Sequence, residues 1–257
     1  GENLQDHLQI RLSFECTKPI TTNEQLNTLF GQAKLGLEWL IHRSGPLAVG
    51  INQGVFSLYA LRDERGKRVR ETRDSQRHVS TLSADMAGGK VHPYSGFTMS
   101  VCQLRPESRG YVRIRSLDPL QPPSMQPNYL DTDLDRRTNV AAVRAARSIA
   151  QSPAMAPYVK REVKPGLAAQ SDEELLEFCR NNGATIFHPS GTCRMGHDAM
   201  AVVDSRLRVH GVKGIRVVDC SVMPTLVSGN TNAPVVMMAE KAADMIREDA
   251  AKQLAAA

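Results

Sequence analysis

The sequence predicts an α/β fold, and three stretches of the chain carry that prediction. Leu8–Phe14 alternates apolar and polar residues, as a half-buried strand does. Asp131 and Asp133 supply an acidic first turn to a long helix, which stops before Pro153. Gly214–Asp219 is a short apolar run that ends in an acid, which is typical of a buried strand in an α/β sheet.

Helix and strand patterns continue along the rest of the chain. A polar start at Thr22–Gln25 and apolar residues at helical spacing up to Ile41 predict one or two helices. Ser171–Glu174 is typical of a capping box and predicts a short helix, after which Ala184–Phe187 leads into His188. Further strand-like runs are Val49–Leu61, Val79–Leu82, Phe97–Leu104 and Ser108–Ser116.

The chain of 257 residues has a formal net charge of +5 and a pI near 9.0, values that would suit an acidic partner. Its basic cluster is interleaved with acidic residues, and no aromatic side chain lies among them to stack on bases. We therefore expect a solvated loop or hairpin there and no nucleic-acid partner. The cluster comprises Arg62, Arg65, Lys67, Arg68, Arg70, Arg73 and Arg77.

Cysteine usage and the first residues indicate the cellular compartment. Five cysteines without a CxxC pair argue against a disulfide framework and a structural zinc site, so a reducing cytoplasm fits best. No run approaches the roughly 18 apolar residues that a membrane span needs, and the first residues do not resemble a leader. Because the chain lacks an initiator Met, we expect it to begin inside a larger protein.

His188 is the candidate catalytic residue. An apolar stretch leads into it and Gly191 and Gly196 follow, so we expect its side chain at a fixed position facing a turn-rich cleft. The alternative is a packed or surface histidine, which is the commoner role of a single histidine. A metal site of His188, Cys193 and His197 is disfavoured, because the spacing fits no zinc pattern.

A second candidate site precedes the last predicted helix, which we expect from about Ala233 to Asp249. Asn230–Pro234 would cap and open that helix, and this structural role alone explains those residues. The same geometry exposes N–H groups that carry about half a positive charge and stabilise an anion. Asp219 ends its predicted strand at a position where open α/β sheets bind cofactors, with a capping role as the alternative.

Seven blocks of the chain form a recognisable set. They are Gly1–His7, Ser95–Thr98, Leu104–Gly110, Pro127–Leu130, His188–Gly196, Val218–Pro224 and Gly229–Pro234. In this order they resemble the glucose-methanol-choline (GMC) flavoprotein oxidoreductases, above all the bacterial alcohol and choline dehydrogenase-like members. Several separate motifs make the resemblance specific, and it covers essentially the whole chain.

The resemblance implies FAD as cofactor and hydride transfer from an alcohol carbon to flavin N5. By motif position, His188 matches the family's catalytic base, and Asn230 matches a second active-site position that holds His or Asn. The electron acceptor would be a quinone or oxygen. Residues that match flavin contacts are Asp219, Cys220, Asn230, Thr231, Asn232, Ala233 and Pro234.

The resemblance also implies two domains. Residues 1–185 would form an α+β substrate domain with a mostly antiparallel sheet, and 186–257 the active-site segment plus a strand and helix of a Rossmann-like FAD domain. The GxGxxG that binds the FAD pyrophosphate is absent from the sequence, so the missing N-terminal FAD-binding half is an expected partner. Arg73–Arg77 departs from the Pro-Asp-apolar-Gln run of relatives, so the resemblance supports the strand there least.

Two other functions stay open. Some relatives bind FAD but cleave hydroxynitriles without redox chemistry, and a catalytically incomplete fragment is the other alternative. We expect a small-molecule alcohol as substrate and leave a second copy of the chain open as a partner. A quinone acceptor would bring an otherwise cytoplasmic protein to the inner membrane, although no amphipathic anchor stands out in the sequence.

Overall fold

The computed structural model describes residues 1–85 and 88–255. Its mixture of helices and antiparallel strands confirms the predicted fold class. The strands are β1 (Glu2–Leu4), β2 (Leu8–Cys16), β3 (Asn52–Leu58), β4 (Ser75–Ser80), β5 (Gly96–Gln103), β6 (Gly110–Arg113), β7 (Ser124–Gln126), β8 (Val159–Lys164) and β9 (Ala184–Thr185). The α-helices are α1 (Asn23–Leu26), α2 (Leu29–His42), α3 (Asp133–Ala150), α4 (Asp172–Asn182) and α5 (Asn232–Ala255).

The described residues divide into two compact units. The first comprises Gly1–His7, Leu104–Asp135 and the described residues from Thr185 onward. The second comprises the described part of Leu8–Gln103 together with Arg136–Ala184. The domain boundary near residue 185 stays a prediction. Every helix among the described residues is too short or too polar to cross a lipid bilayer.

An antiparallel sheet with the strand order β3-β4-β5-β2-β8 forms the second unit. Along β2 and β5, Ile10 lies opposite Val101 and Leu12 opposite Met99. These four side chains are at most 1% exposed. Every residue of β5 is buried, as a central strand with both faces covered requires. The sheet confirms the predicted antiparallel architecture and the strand expected at Leu8–Phe14.

Two helices follow β2, as the polar start at Thr22–Gln25 predicted. The apolar residues at helical spacing do not form the buried face of α2. Leu29 and Phe30 are 86% and 82% exposed, whereas the buried positions of this helix are Gly31 and Leu35. Periodicity therefore predicted the helix but not its covered side, because spacing carries no information about neighbouring elements.

Helices α3 and α4 match their sequence signals. At the start of α4, the Ser171 hydroxyl accepts the Glu174 N–H at 3.2 Å, and the Glu174 carboxylate accepts the Ser171 N–H at 2.9 Å. The predicted capping box is therefore confirmed. Helix α3 buries Val140, Val143 and Ala146.

The basic cluster divides into an exposed turn and one buried arginine. Arg62 and Arg68 close an exposed turn through an isolated bridge, which agrees with the solvated loop or hairpin predicted at that end. The prediction is wrong for Arg77, which lies on the interior strand β4 and is fully buried. Its guanidinium donates to Ser75 Oγ at 2.5 Å and to the Ala142 carbonyl at 3.1 Å, and burial lowers its pKa to about 10. These two acceptors take the place of water around the buried guanidinium. They are brought to Arg77 only by the fold, so the order of charged residues in the sequence could not reveal them.

The first unit contains a smaller sheet, with the order β1-β6-β7, and the long helix α5. Ala242 of α5 belongs to a buried apolar cluster with Val203, Leu207 and Val222. Further along α5, Ile246 is 48% exposed, so this helix is covered only in part.

The stretch Gly214–Asp219 differs from its prediction as a strand. Among the described residues it forms one isolated antiparallel bridge, which pairs Arg216 with Arg208. The carbonyl of Ile215 also accepts a hydrogen bond from the Val209 N–H at 3.1 Å. A strand requires a continuous ladder with a neighbour, and a single bridge does not provide one. Its expected place as a strand of a Rossmann-like FAD domain stays a prediction.

Candidate active site

The N-terminal segment holds the loop that carries His188. Gln5 and Ser190 exchange two backbone hydrogen bonds, of 2.9 and 2.8 Å. The Asn3 side-chain amide donates to the Gly191 carbonyl at 3.1 Å. Gly191 has a φ of +87°, and a Cβ at this position would lie 2.6 Å from the Asn3 carbonyl oxygen. The close approach of the two backbones therefore requires glycine here.

The side chain of Gln5 also holds the segment that leads into α5. Gln5 is 2% exposed, and its Nε2 donates to the Pro224 carbonyl at 3.1 Å while its Oε1 accepts the Leu226 N–H at 3.0 Å. Further along, Arg105 Nε donates to Ser228 Oγ at 2.8 Å. Gln5 thus links the His188 loop to the chain before α5, with both polar ends of its amide satisfied.

Asp6 is the hydrogen-bond acceptor at the centre of the site. One carboxylate oxygen accepts the backbone N–H groups of His7 and His188, at 2.9 and 3.0 Å. The other oxygen accepts the hydroxyls of Tyr129 and Thr185, each at 2.5 Å. Burial, and then the Asp6 carboxylate, raise the pKa of Tyr129, so its hydroxyl stays protonated and donates. Four donors therefore surround the buried Asp6 carboxylate.

The imidazole rings of His7 and His188 are in direct contact. Their Nδ1 atoms are 2.9 Å apart, and the rings meet edge to face with centroids 5.2 Å apart. His7 Nε2 lies 3.0 Å from the Leu104 carbonyl oxygen. His7 is 0% exposed and His188 is 8% exposed. Burial lowers the pKa of His188, and the negative charge of Asp6 opposes that shift.

The residues around the start of α5 differ in exposure. Asn230 is exposed and precedes the helix, which begins at Asn232. Thr231 is 8% exposed, whereas Asn232 and Ala233 are exposed and Pro234 is half-buried. Exposed N–H groups, small side chains and a helix start form a donor set that fits the carbonyl-rich edge of a flavin ring.

Asp219 and Cys220 lie beside the His188 loop. The Asp219 carboxylate accepts the Ser221 N–H at 2.8 Å and caps the short 3-10 helix Cys220–Val222. The Cys220 carbonyl accepts the Gly191 N–H at 3.2 Å. Asp219 is itself exposed, so its capping role leaves it accessible to a ligand.

The histidine and cysteine next in sequence to His188 do not converge with it on a metal site. Cys193 is half-buried, with its backbone N–H donating to the Ser221 carbonyl at 2.8 Å, and His197 is exposed. Across residues 1–85 and 88–255, no group of three His, Cys, Asp or Glu side chains could hold a metal ion.

Sequence reasoning missed the neighbours of His188. Asp6, His7 and Tyr129 lay inside blocks that contributed to the resemblance but were not singled out as site residues. An Asp-His pair directly before a strand is the one local signal for them. It could not identify the partner, because His7 and His188 are 181 positions apart in the chain.

Comparisons with known proteins show which family the chain resembles. The family model of the GMC oxidoreductases matches residues 106–239, just over half of the chain. The oxygen-dependent choline dehydrogenase of Escherichia coli (strain K12) is 41% identical over 252 residues, which cover 96% of this chain and 43% of the relative. The chain therefore spans less than half the length of the curated relatives it matches.

Solved structures show the same fold. Pyridoxine 4-oxidase from Mesorbium loti is 27% identical, with a TM-score of 0.77 over 96% of this chain and 43% of that protein. Formate oxidase from Aspergillus oryzae is 24% identical, with a TM-score of 0.85 over 96% of this chain and 47% of that protein.

Proposed function

Because the chain belongs to the GMC oxidoreductase family, whose members depend on FAD, we propose that it carries the proton-accepting side of the active site of an alcohol oxidoreductase. The reaction oxidises a small alcohol to an aldehyde or ketone. The observation that carries this proposal is the environment of His188. The residue is buried, its backbone N–H donates to the Asp6 carboxylate, and its imidazole ring contacts His7.

His188 acts as the general base. An alcohol hydroxyl is too weak an acid to ionise unaided, and a positioned imidazole contributes about 10²- to 10⁴-fold to the rate. Since burial lowers the pKa of His188, the ring is neutral at pH 7 and can accept the hydroxyl proton. The alcohol loses that proton to His188 and a hydride from its carbon, which leaves a C=O double bond.

FAD, when bound, supplies flavin N5 as the hydride acceptor. We expect the ring to be held by residues around the short 3-10 helix and the start of α5, two segments that follow the His188 loop in the chain. Their exposure and their donor groups fit that role. They are Asp219, Cys220, Asn230, Thr231, Asn232, Ala233 and Pro234.

Asn230 donates a hydrogen bond to the substrate oxygen. Its amide does not titrate, so it stabilises the negative charge that develops on that oxygen across the working pH range. Its exposure, at the end of the segment that Gln5 ties to the His188 loop, supports this role.

The substrate and acceptor follow from the relatives. The choline of one relative's name is one candidate among small alcohols, and oxygen or a quinone is the electron acceptor. A quinone acceptor would bring a cytoplasmic enzyme to the surface of the inner membrane.

The test is steady-state kinetics on the complete, FAD-loaded protein that carries this chain, with choline as the first alcohol. We expect His188→Ala to lower kcat/KM about 10²- to 10⁴-fold. The matched control is His197→Ala, because His197 is an exposed histidine of the same segment and should be dispensable. Full turnover of His188→Ala with bound FAD would refute the assignment.

A spectroscopic measurement separates this function from the lyase alternative. Anaerobic addition of a turned-over substrate bleaches the visible flavin band if the enzyme is an oxidoreductase. A lyase of the same family would leave that band unchanged while consuming a hydroxynitrile.

A further inference from the structure

We propose that His7 is a positioning residue, which holds His188 in the tautomer whose Nε2 lone pair accepts the substrate proton. The proposal rests on the function proposed above, in which His188 is the base. It adds a residue that touches neither substrate nor cofactor but decides which nitrogen of the base is free.

His7 carries a proton on Nε2. Its Nε2 lies 3.0 Å from the carbonyl oxygen of Leu104. A backbone carbonyl only accepts hydrogen bonds, so His7 Nε2 must carry a hydrogen. A neutral His7 then has its lone pair on Nδ1, the atom that faces His188.

The lone pair on His7 Nδ1 determines which nitrogen of neutral His188 carries the hydrogen. The two Nδ1 atoms are 2.9 Å apart, a distance that needs one hydrogen between them. Since His7 Nδ1 has the lone pair, His188 Nδ1 carries the hydrogen and donates it. Neutral His188 is therefore protonated at Nδ1 and unprotonated at Nε2, which is the tautomer of a working base.

The opposite polarity requires a charged His7. A hydrogen on His7 Nδ1 in addition to the one on Nε2 would make the ring a cation and would push the His188 hydrogen to Nε2, where it blocks the base. His7 is 0% exposed, and burial disfavours the charged form of a histidine. The neutral form of His7 satisfies both observed contacts, donating at Nε2 and accepting at Nδ1.

Asp6 fixes the backbones of both histidines relative to each other. One of its carboxylate oxygens accepts the backbone N–H groups of His7 and of His188. After His188 accepts the substrate proton, its Nδ1–H still donates to His7, and the Asp6 charge favours the imidazolium. The hydrogen bond from His188 Nδ1 to His7 is therefore present both before and after proton transfer.

Two variants at position 7 separate the acceptor from the donor. In His7→Asn, the amide oxygen occupies the place of Nδ1 and can still accept from His188. In His7→Gln, the amide reaches the place of Nε2, which preserves the donor to Leu104 but removes the acceptor. We expect kcat to fall about 10²-fold in His7→Gln with KM within about 3-fold of wild type, and to fall less than about 5-fold in His7→Asn.

The tautomer itself is read by NMR of the FAD-loaded protein labelled with ¹⁵N-histidine, with His188→Gln used to assign the resonance. We expect His188 to be protonated at Nδ1 in wild type and in His7→Asn, and at Nε2 in His7→Gln. A merely structural role of His7 would not move the proton from one nitrogen to the other. FAD content and thermal midpoint report whether each variant is folded.

Two results would overturn the proposal. One is an equal loss of kcat in both variants, and the other is a His188 that stays protonated at Nδ1 in His7→Gln. Failure of the proposed function is a different result, because it appears as turnover by His188→Ala. The NMR comparison does not depend on turnover, so it tests His7 in either case.

Discussion

The Asp6 carboxylate accepts the backbone N–H of His188 at 3.0 Å, across a separation of 182 positions in the chain. This bond holds the carboxylate beside the candidate base. The negative charge of the carboxylate opposes the lowering of the His188 pKa by burial. The same carboxylate receives the hydroxyls of Tyr129 and Thr185, so its position does not depend on solvent.

Replacing Asp6 by Asn tests the electrostatic part of this arrangement. The amide oxygen still accepts the backbone N–H groups, but the negative charge is lost. Since that charge raises the pKa of His188, its removal lets the pKa fall further, and the rising limb of kcat/KM moves to lower pH. The pH profile of Asp6→Asn measures the shift, and Asp118→Asn, at an exposed carboxylate, should leave the profile unchanged. An unmoved limb in Asp6→Asn would mean that Asp6 acts through geometry alone.

Gly191→Ala tests the close approach of the His188 loop to the N-terminal segment. Its Cβ would lie 2.6 Å from the Asn3 carbonyl oxygen at a φ of +87°. We expect the free energy of unfolding to fall by about 2–4 kcal/mol from strain and displacement of the loop. Gly211→Ala is the matched control, because Gly211 has a φ of +75° with nothing within 4 Å of its Cβ. The control should lose about 1 kcal/mol from backbone strain alone. Equal losses, measured by chemical denaturation, would count against the close approach.

Arg77→Met tests the buried arginine of β4. The change leaves the Ala142 carbonyl without the guanidinium that donates to it at 3.1 Å. We expect the free energy of unfolding to fall by about 1–3 kcal/mol, because the two buried hydrogen bonds of the guanidinium, to Ser75 and Ala142, are lost. Arg73→Met, at an exposed arginine four residues earlier, should change stability by less than about 0.5 kcal/mol. If the two variants unfold alike, Arg77 is not the structural residue that its burial indicates.

Local sequence patterns predicted much of the fold correctly. The alternation at Leu8–Phe14 and the capping box at Ser171–Glu174 each correspond to an element in the structure. The predictions that differ from the structure are those that depend on which elements pack against each other. Leu29 has helical spacing but lies on an exposed face, and Gly214–Asp219 has the composition of a strand without a ladder. In both cases the element depends on what packs against it, and a short stretch does not encode that.

The sequence by itself determined the family and the candidate base, because ordered motif blocks and the setting of His188 are properties of short stretches. Tertiary structure alone decided which groups surround that base. His7 and Asp6 reach His188 from the other end of the chain, and Arg77 is buried only because a strand and a helix bring acceptors to it. The protonation state and the hydrogen bonds of a side chain depend on dielectric surroundings and on partners a few ångströms away, and only the folded chain supplies these.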